Sequence, residues 1–130
     1  PVNQFVANFV GKANFLKGEA KNGRIFINGT DQSIEYTGDK TGNVVLTLRP
    51  ENIKVVKEKS DLSGTIKNMY FLGNENDCQI DLGNGICLRV ISDPHTFDGM
   101  EHGQQINLQL QEKIVYTDDG TNASYNKILT

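Results

Sequence analysis

The sequence has little of the material that small secreted domains or membrane proteins use. Its 130 residues include two cysteines, three prolines and no tryptophan. Two cysteines exclude a disulfide-rich scaffold. No apolar run approaches the roughly 20 residues of a membrane-spanning helix, and no signal peptide is recognisable. A chain of this length buries roughly two-thirds of its unfolded surface, so we expect a core that needs neither a metal nor a disulfide.

An excess of positive charge is also absent. The 13 basic and 16 acidic residues leave a net charge of −3. Residues 66–130 contain four basic and nine acidic side chains, whereas residues 1–65 contain nine and seven. A surface for nucleic acid or anionic lipid requires clustered Lys and Arg. We therefore expect no nucleic-acid partner.

Groups for catalysis are missing as well. There is no Gly-rich phosphate loop followed by Lys-Ser or Lys-Thr, and no serine lies in a nucleophile-elbow context. No pattern places a carboxylate pair for acid–base chemistry, since Asp118-Asp119-Gly120 is typical of a turn. The sequence therefore predicts no catalytic residue and no cofactor, and this chain is not expected to bind or hydrolyse ATP.

Short apolar runs between turn residues indicate an all-β protein. The exception is the start, where Val2, Phe5, Val6, Phe9 and Val10 recur at helical spacing and predict a short helix that ends at Gly11. The strands predicted in the first half are residues 15–20, 24–27, 33–37, 43–48 and 53–56.

The second half reads as a five-strand meander. Its strands are predicted at residues 62–72, 77–82, 86–91, 104–110 and 113–116. A long first strand with a glycine-containing bend is typical of a small Greek-key barrel of the OB type. Tyr70-Phe71 is predicted to form part of the barrel wall.

One hairpin of this half has a predictable register. A three-residue turn at Gly83-Asn84-Gly85 places Leu82 opposite Ile86, so that the inward face is wholly apolar. Cys78 then faces inward and Cys87 outward, and this geometry is poor for a disulfide between them. A reducing compartment fits two unpaired cysteines.

The loop after this hairpin collects several polar groups. Asp93, His95, Asp98, Glu101 and His102 lie within ten residues, and such side chains ligate divalent metals. Their spacing matches no closed metal motif. The favoured interpretation is a solvated surface loop, with a metal site at His95, His102, Asp93 and Asp98 as the alternative.

Three segments resemble one known family. Residues 1–14 match the form Pro-x-Asn-x-Phe-Val-Ala-x-Phe-x-Gly-x-x-Asn, which follows the nucleotide-binding domain in ATP-binding subunits of bacterial ABC importers. Arg49-Pro50-Glu51-Asn52-Ile53 is similar to that family's Arg-Pro-Glu-x-Ile signature. Ser63-Gly64-Thr65-Ile66 with Tyr70-Phe71-Leu72-Gly73 is similar to its Gly-x-Val and Tyr-Leu-Gly segments, with Phe71 as an insertion.

The resemblance implies a C-terminal regulatory domain, often called TOBE, of a maltose-, polyamine- or ferric-iron-type importer. It implies an OB-like β-barrel made of two β-rich halves. Residues 1–14 are then a linker helix and residues 15–130 the domain, with sub-segments 15–57 and 62–117 and a tail at 118–130. Since the chain begins at Pro1 without Met, we interpret it as a fragment whose ATPase domain, with its ATP and Mg, lies upstream.

The same resemblance implies partners and a location. The partners are a second copy of the chain, its own ATPase domain, the permease subunits, and a regulatory protein or solute. The location is the cytoplasmic face of the cell membrane. The interface candidates are Phe5, Phe9, Arg49 and Glu51. For Arg49 and Glu51 a strand-ending turn at Pro50 is the favoured alternative, and for Phe5 and Phe9 packing inside the domain is an equal one.

Three functional hypotheses follow. The first is a non-catalytic regulatory and dimerisation domain of an importer of iron(III), polyamine, phosphonate or sugar. The second is a sensor domain that binds a small solute or oxyanion directly. The third is an OB-fold module for nucleic acid.

Overall fold

The computed structural model describes residues 13–118. Within this range the chain forms ten strands, one short 3-10 helix and no α-helix. The strands are β1 (Asn14–Lys21), β2 (Arg24–Ile27), β3 (Ser33–Glu35), β4 (Gly42–Leu48), β5 (Ile53–Val56), β6 (Leu62–Phe71), β7 (Asn76–Asp81), β8 (Cys87–Ser92), β9 (Gln105–Leu110) and β10 (Ile114–Thr117). The 3-10 helix spans Pro50–Asn52. The prediction of an all-β chain is confirmed.

The short N-terminal helix is not supported. Its core, residues 2–10, lies outside the described residues. The last residue of the predicted linker, Asn14, already belongs to β1. Strand β1 thus begins one residue before the predicted start at residue 15, because Asn14 pairs with Leu48 of β4.

The strands form two five-stranded antiparallel sheets. The first has the order β10-β4-β1-β2-β3 and the second the order β5-β9-β6-β7-β8. The second sheet curls until its edge strands β5 and β8 come into contact, and the 3-10 helix contacts β8 at the same place. This curl makes the second sheet the barrel-like part of the fold.

The two halves of the sequence exchange strands, which corrects the predicted second-half meander. β5 comes from the first half but pairs with β9, and β10 comes from the second half but pairs with β4. The buried Pro50 causes the first crossing, because it ends the ladder of β4 and starts the turn that carries the chain to the other sheet. The division of the strands between the two sheets therefore does not coincide with the predicted boundary at residues 57–62.

A single core lies between the sheets. Alternate residues of the strands face inward, as the period of two requires. The fully buried large side chains of this core come from both sheets: Ile25, Ile27, Ile34, Leu46, Leu48, Ile53, Ile66, Ile80, Leu88, Phe97 and Leu108. Phe97 belongs to the loop before β9, so this mostly polar loop contributes a side chain to the core.

The β7–β8 hairpin has the predicted register. Ile80 pairs with Leu88 and Cys78 pairs with Val90, and all four are buried. The three-residue turn closes where the Leu82 N–H donates to the Ile86 carbonyl at 2.7 Å. Gly85 has φ of +81°, the left-handed conformation that was expected of it.

The long first strand of the barrel bends at a different residue from the predicted one. The ladder between β6 and β7 is interrupted between Ile66 and Asn68, where Lys67 is the extra residue of a β-bulge. Gly64 has another role, because a Cβ there would lie 2.6 Å from the Ile80 side chain. Gly64 is thus required for the close approach of β6 to β7.

Two amide side chains connect the sheets in the manner of backbone groups. Asn14 on β1 accepts from the Arg89 N–H and donates to the Arg89 carbonyl, both at 2.8 Å. Gln32, in the β2–β3 loop, accepts from the Ser63 N–H and donates to the carbonyls of Ser63 and Leu82. Each amide thus makes hydrogen bonds with backbone N–H and carbonyl groups of the second sheet that no described strand pairs with at that point.

Substitution Gln32→Ala should lower the free energy of unfolding by about 2 kcal/mol. It removes three hydrogen bonds and leaves partly buried backbone groups without partners. Urea denaturation of the variant and the parent measures the difference. Gln109→Ala, at an exposed position of β9, is the matched control and should change stability by less than about 0.5 kcal/mol. Equal effects of the two substitutions would contradict the assigned role of Gln32.

Substitution Thr47→Val should stabilise the protein by about 1 kcal/mol. Thr47 is 3% exposed, and its hydroxyl has no hydrogen-bond partner among the described residues. Valine has the same shape without the unsatisfied polar group. The expected result is a higher melting temperature by calorimetry, with Thr65→Val at an exposed site as the neutral control. A destabilised Thr47→Val variant would mean that the hydroxyl has a partner.

Candidate functional site

The polar loop between β8 and β9 forms a turn network. The Asp93 carboxylate accepts from the backbone N–H groups of His95 and Thr96, and these bonds, that of His95 foremost, lower its pKa. His95 Nδ1 lies 2.9 Å from an Asp98 carboxylate oxygen, and this hydrogen bond raises the histidine pKa. Both side chains are exposed. These contacts are the ones that a surface turn needs.

His102 follows in the next turn and is exposed as well. Among residues 13–118, no three His, Cys, Asp or Glu side chains are close enough to hold one metal ion. The four residues of the metal alternative are therefore near in sequence, but the structure does not bring them together around one point.

The two cysteines are unpaired and lie on opposite faces of the β7–β8 hairpin, as predicted. Burial raises the pKa of the Cys78 thiol to about 11. Burial also raises the pKa of Cys87, which is half-buried. Both thiols are therefore protonated near neutral pH and are poor nucleophiles.

The interface candidates that can be located lie beside the 3-10 helix. Arg49 and Glu51 are exposed and flank the buried Pro50. The Glu51 backbone carbonyl accepts from the Lys54 ammonium at 3.1 Å. The predicted strand-ending turn at Pro50 is present, and the interface role of Arg49 and Glu51 stays a prediction. Phe5 and Phe9 lie outside the described residues.

A cleft of about 760 Å³ lies beside the start of β10. Glu35, Asp61 and Glu112 contribute carboxylates to its wall, and Tyr36 an aromatic ring. Asp61 accepts from the Leu110 N–H at 2.7 Å, and Glu112 accepts from the Asn52 amide at 3.3 Å. Two of these carboxylates are thus engaged in holding the ends of β9 and the 3-10 helix. This arrangement is structural and shows no acid–base pair.

A second cavity, of about 390 Å³, lies at the Gln32 connection. Its wall contains neutral polar side chains, among them Ser63, Thr65 and Gln105, together with Asp81. The Asp81 carboxylate accepts from the Gly83 N–H at 2.7 Å, and Gln32 is fully engaged with backbone groups. Hydroxyl and amide groups remain for a small polar ligand.

The most distinctive surface is the tip of the β6–β7 hairpin. Tyr70, Phe71 and Leu72 are 57%, 65% and 54% exposed. We call these three residues the apolar tip. Three large apolar side chains exposed at one hairpin end are more than the single exposed apolar residues that any surface has, and such clusters mark interaction sites. The tip lies where the Leu72 N–H bonds to the Glu75 carbonyl and Gly73 adopts φ of +80°.

Tyr70 and Phe71 lie in β6 of the barrel-like sheet, as the prediction of barrel-wall residues requires, but their side chains are exposed. They are the last two residues of β6, where the strand extends beyond its buried positions. A signal was available in the sequence. Three consecutive apolar residues before a Gly-Asn turn cannot all face inward, because successive side chains of a strand alternate.

No helix among residues 13–118 is long and apolar enough to cross a membrane.

Comparison with known proteins finds relatives that are named as import ATP-binding proteins. The spermidine/putrescine import ATP-binding protein PotA of Mesorhizobium japonicum is 28% identical over 118 residues, which are 83% of this chain and 32% of that protein. The Fe(3+) ions import ATP-binding protein FbpC of Fusobacterium nucleatum is 30% identical over 128 residues, which are 93% of this chain and 34% of that protein. The chain thus spans about a third of the length of these relatives.

Among solved structures, the cytoplasmic molybdate-binding protein ModG with molybdate bound superposes with a TM-score of 0.67. The match covers 80% of this chain and 95% of that chain at 14% sequence identity, so it bears on the fold alone. It agrees with the OB-like, all-β architecture that the sequence predicts.

The family model described as the TOBE domain matches residues 46–116. This range is more than half of the chain, and it runs from the middle of β4 to β10, so it includes both strand crossings. The chain belongs to the TOBE domain family.

Proposed function

We propose that this chain is the non-catalytic regulatory and dimerisation domain of an ABC importer ATP-binding subunit. The observation that carries the proposal is the apolar tip, which exposes three apolar side chains at the end of one hairpin. The relatives named above, all ATP-binding proteins of importers, supply the context. The domain binds a second copy of itself and modulates the ATP-driven uptake of the solute.

The rest of the assembly follows from the same context. ATP and Mg²⁺ belong to the ATPase domain of the longer protein, and this domain contributes no cofactor site. The partners are that ATPase domain, the permease subunits and a regulatory protein, on the cytoplasmic side of the membrane. Relatives named for polyamine and for Fe(3+) import make these two solutes the first candidates for transport.

The full chain should form a dimer, and Phe71→Ser should weaken its association at least tenfold. Loss of one exposed aromatic from the centre of an apolar contact typically costs more than about 1.4 kcal/mol of binding free energy, which is a factor of ten. Sedimentation equilibrium over a range of concentrations measures the dissociation constant.

The matched control is Phe26→Ser, since Phe26 is a single exposed aromatic of the first sheet. It should leave association unchanged. A chain that remains monomeric at every concentration would contradict dimerisation. A dissociation constant that Phe71→Ser leaves unchanged would place the contact away from the apolar tip.

A second candidate function is direct sensing of an oxyanion. The observation that favours it is the cavity at the Gln32 connection, whose wall has neutral hydroxyl and amide groups. The structural neighbour ModG, which has a similar fold, is named as a molybdate-binding protein. Asp81 in the same wall opposes an anion, so this function ranks below the first.

Thermal-shift titration with molybdate, sulfate, polyamines, Fe(III) and sugars distinguishes the two functions. If this domain is a sensor, one solute should raise the melting temperature progressively with the solute concentration, because it binds the folded state alone. Ser63→Ala should then abolish that shift without changing the melting temperature of the free protein by more than a few degrees. A flat response to every solute contradicts the sensor function and leaves the dimerisation function intact.

A further inference from the structure

The first sheet has two edge strands that run in the same direction. Its strand order is β10-β4-β1-β2-β3, and every neighbouring pair in it is antiparallel. Because the direction alternates over five strands, β10 and β3 point the same way and cannot form an antiparallel pair with each other. Among the strands of residues 13–118, none pairs with the free side of β3 or of β10.

These two edges face each other across the cleft of about 760 Å³. Residues 35–38, at the end of β3 and beyond it, line one wall, and residues 111–115, at the start of β10, line the other. A strand of about five residues is about 16 Å long, and with about 4.8 Å between strands and about 10 Å between packed layers it fills on the order of 800 Å³. The gap between the edges therefore has the size of one missing strand.

Backbone groups of both edges point to this gap. The Asp118 N–H donates to β4, so every second residue of β10, counted back from Asp118, bonds to that strand. Val115 lies between two such residues and directs its N–H and carbonyl to the free side. On the other wall the Tyr36 N–H donates to the Gly23 carbonyl, so the preceding residue, Glu35, directs its backbone groups away from β2. Each edge thus presents a donor and an acceptor for a further strand.

The inner side of the gap is apolar. Tyr36 and Val115 are partly buried and pack against the core, one from each wall of the cleft. Successive side chains of a strand alternate between its two faces, so a strand in the gap places every second side chain between Tyr36 and Val115. An apolar residue at those positions removes exposed apolar surface of both neighbours from water.

The rim of the gap is acidic. Its lining residues include the carboxylates of Glu35, Asp61 and Glu112 and one cation, Lys113. Glu35 is exposed and follows the buried Ile34, so its side chain faces away from the core. This excess of negative charge favours a partner with positive side chains at the positions that alternate with the apolar ones.

We propose that the gap between β3 and β10 binds an extended basic segment of another protein by strand addition. The added strand runs antiparallel to both edges, so the first sheet closes into a six-stranded antiparallel barrel without a free edge. Its apolar side chains face Tyr36 and Val115, and its Lys or Arg side chains face Glu35. The partner is a protein other than a second copy of the chain, and the site is separate from the apolar tip.

A synthetic peptide of alternating lysine and valine, about seven residues long and blocked at both ends, tests the site in the full chain. Fluorescence anisotropy measures its dissociation constant. The same peptide with glutamate in place of lysine should bind at least about tenfold more weakly, because its charges oppose the acidic rim. N-methylation of the valines should weaken binding by a similar factor, since it removes the donors to one edge and keeps the charge. Saturating lysine peptide should slow the amide hydrogen exchange of Val115 and Glu35 about tenfold or more.

Val115→Pro is the corresponding change in the protein. It removes an N–H that the ladder to β4 does not use, and proline is tolerated on the free side of an edge strand. Folding should therefore be retained, while peptide binding falls about tenfold. Glu35→Gln should weaken binding about threefold at low salt and less at high salt. Its matched control is Glu101→Gln, an exposed carboxylate in the loop before β9, which should leave binding unchanged.

Failure of the lysine peptide to bind, or equal binding of the glutamate peptide, would overturn the proposal. Binding that N-methylation leaves unchanged would mean attraction of charge without strand addition, which contradicts it as well. Protection of the Val115 amide that grows with protein concentration, in the absence of peptide, would assign the gap to a second copy of the chain and also count against it. Should Val115→Pro not fold, the N-methylated peptide decides between the same outcomes.

Discussion

The exchange of edge strands between the two sheets is the constraint on which the remaining structure depends. β5 must cross to reach β9, and β10 must cross back to reach β4. Neither sheet is complete with the strands of one half of the chain. The exchange holds the two inner faces together around one core, although the sequence reads as two halves.

Two amide side chains add hydrogen bonds between the sheets where no strand pairing connects them. Asn14 pairs with the backbone of Arg89 on β8, and Gln32 pairs with the backbone of Ser63 and Leu82. Both act as short substitutes for a strand, because an amide has one donor group and one acceptor in the same spacing as a peptide unit. With these hydrogen bonds made, the apolar tip is an exposed apolar surface of the described residues that a partner can contact.

The thiols and two of the carboxylates among the described residues have structural surroundings. The thiols of Cys78 and Cys87 have raised pKa values, and the carboxylates of Asp61 and Glu112 hold strand and helix ends in place. The interaction surface was harder to predict. Tyr70 and Phe71 resemble wall residues in composition, and only the position where β6 outruns the core turns them toward solvent.

The sequence by itself determined the all-β class, the strands with their bounds to within one or two residues, and the register of the β7–β8 hairpin. These properties follow from local alternation and from turn residues such as Gly85, whose effects act within a few positions. Tertiary structure alone decided that β5 and β10 change sheets, that Lys67 forms the bulge, and that Val45 is buried on both sides of its strand. Such features depend on which strands meet across long separations, and no local pattern encodes that choice.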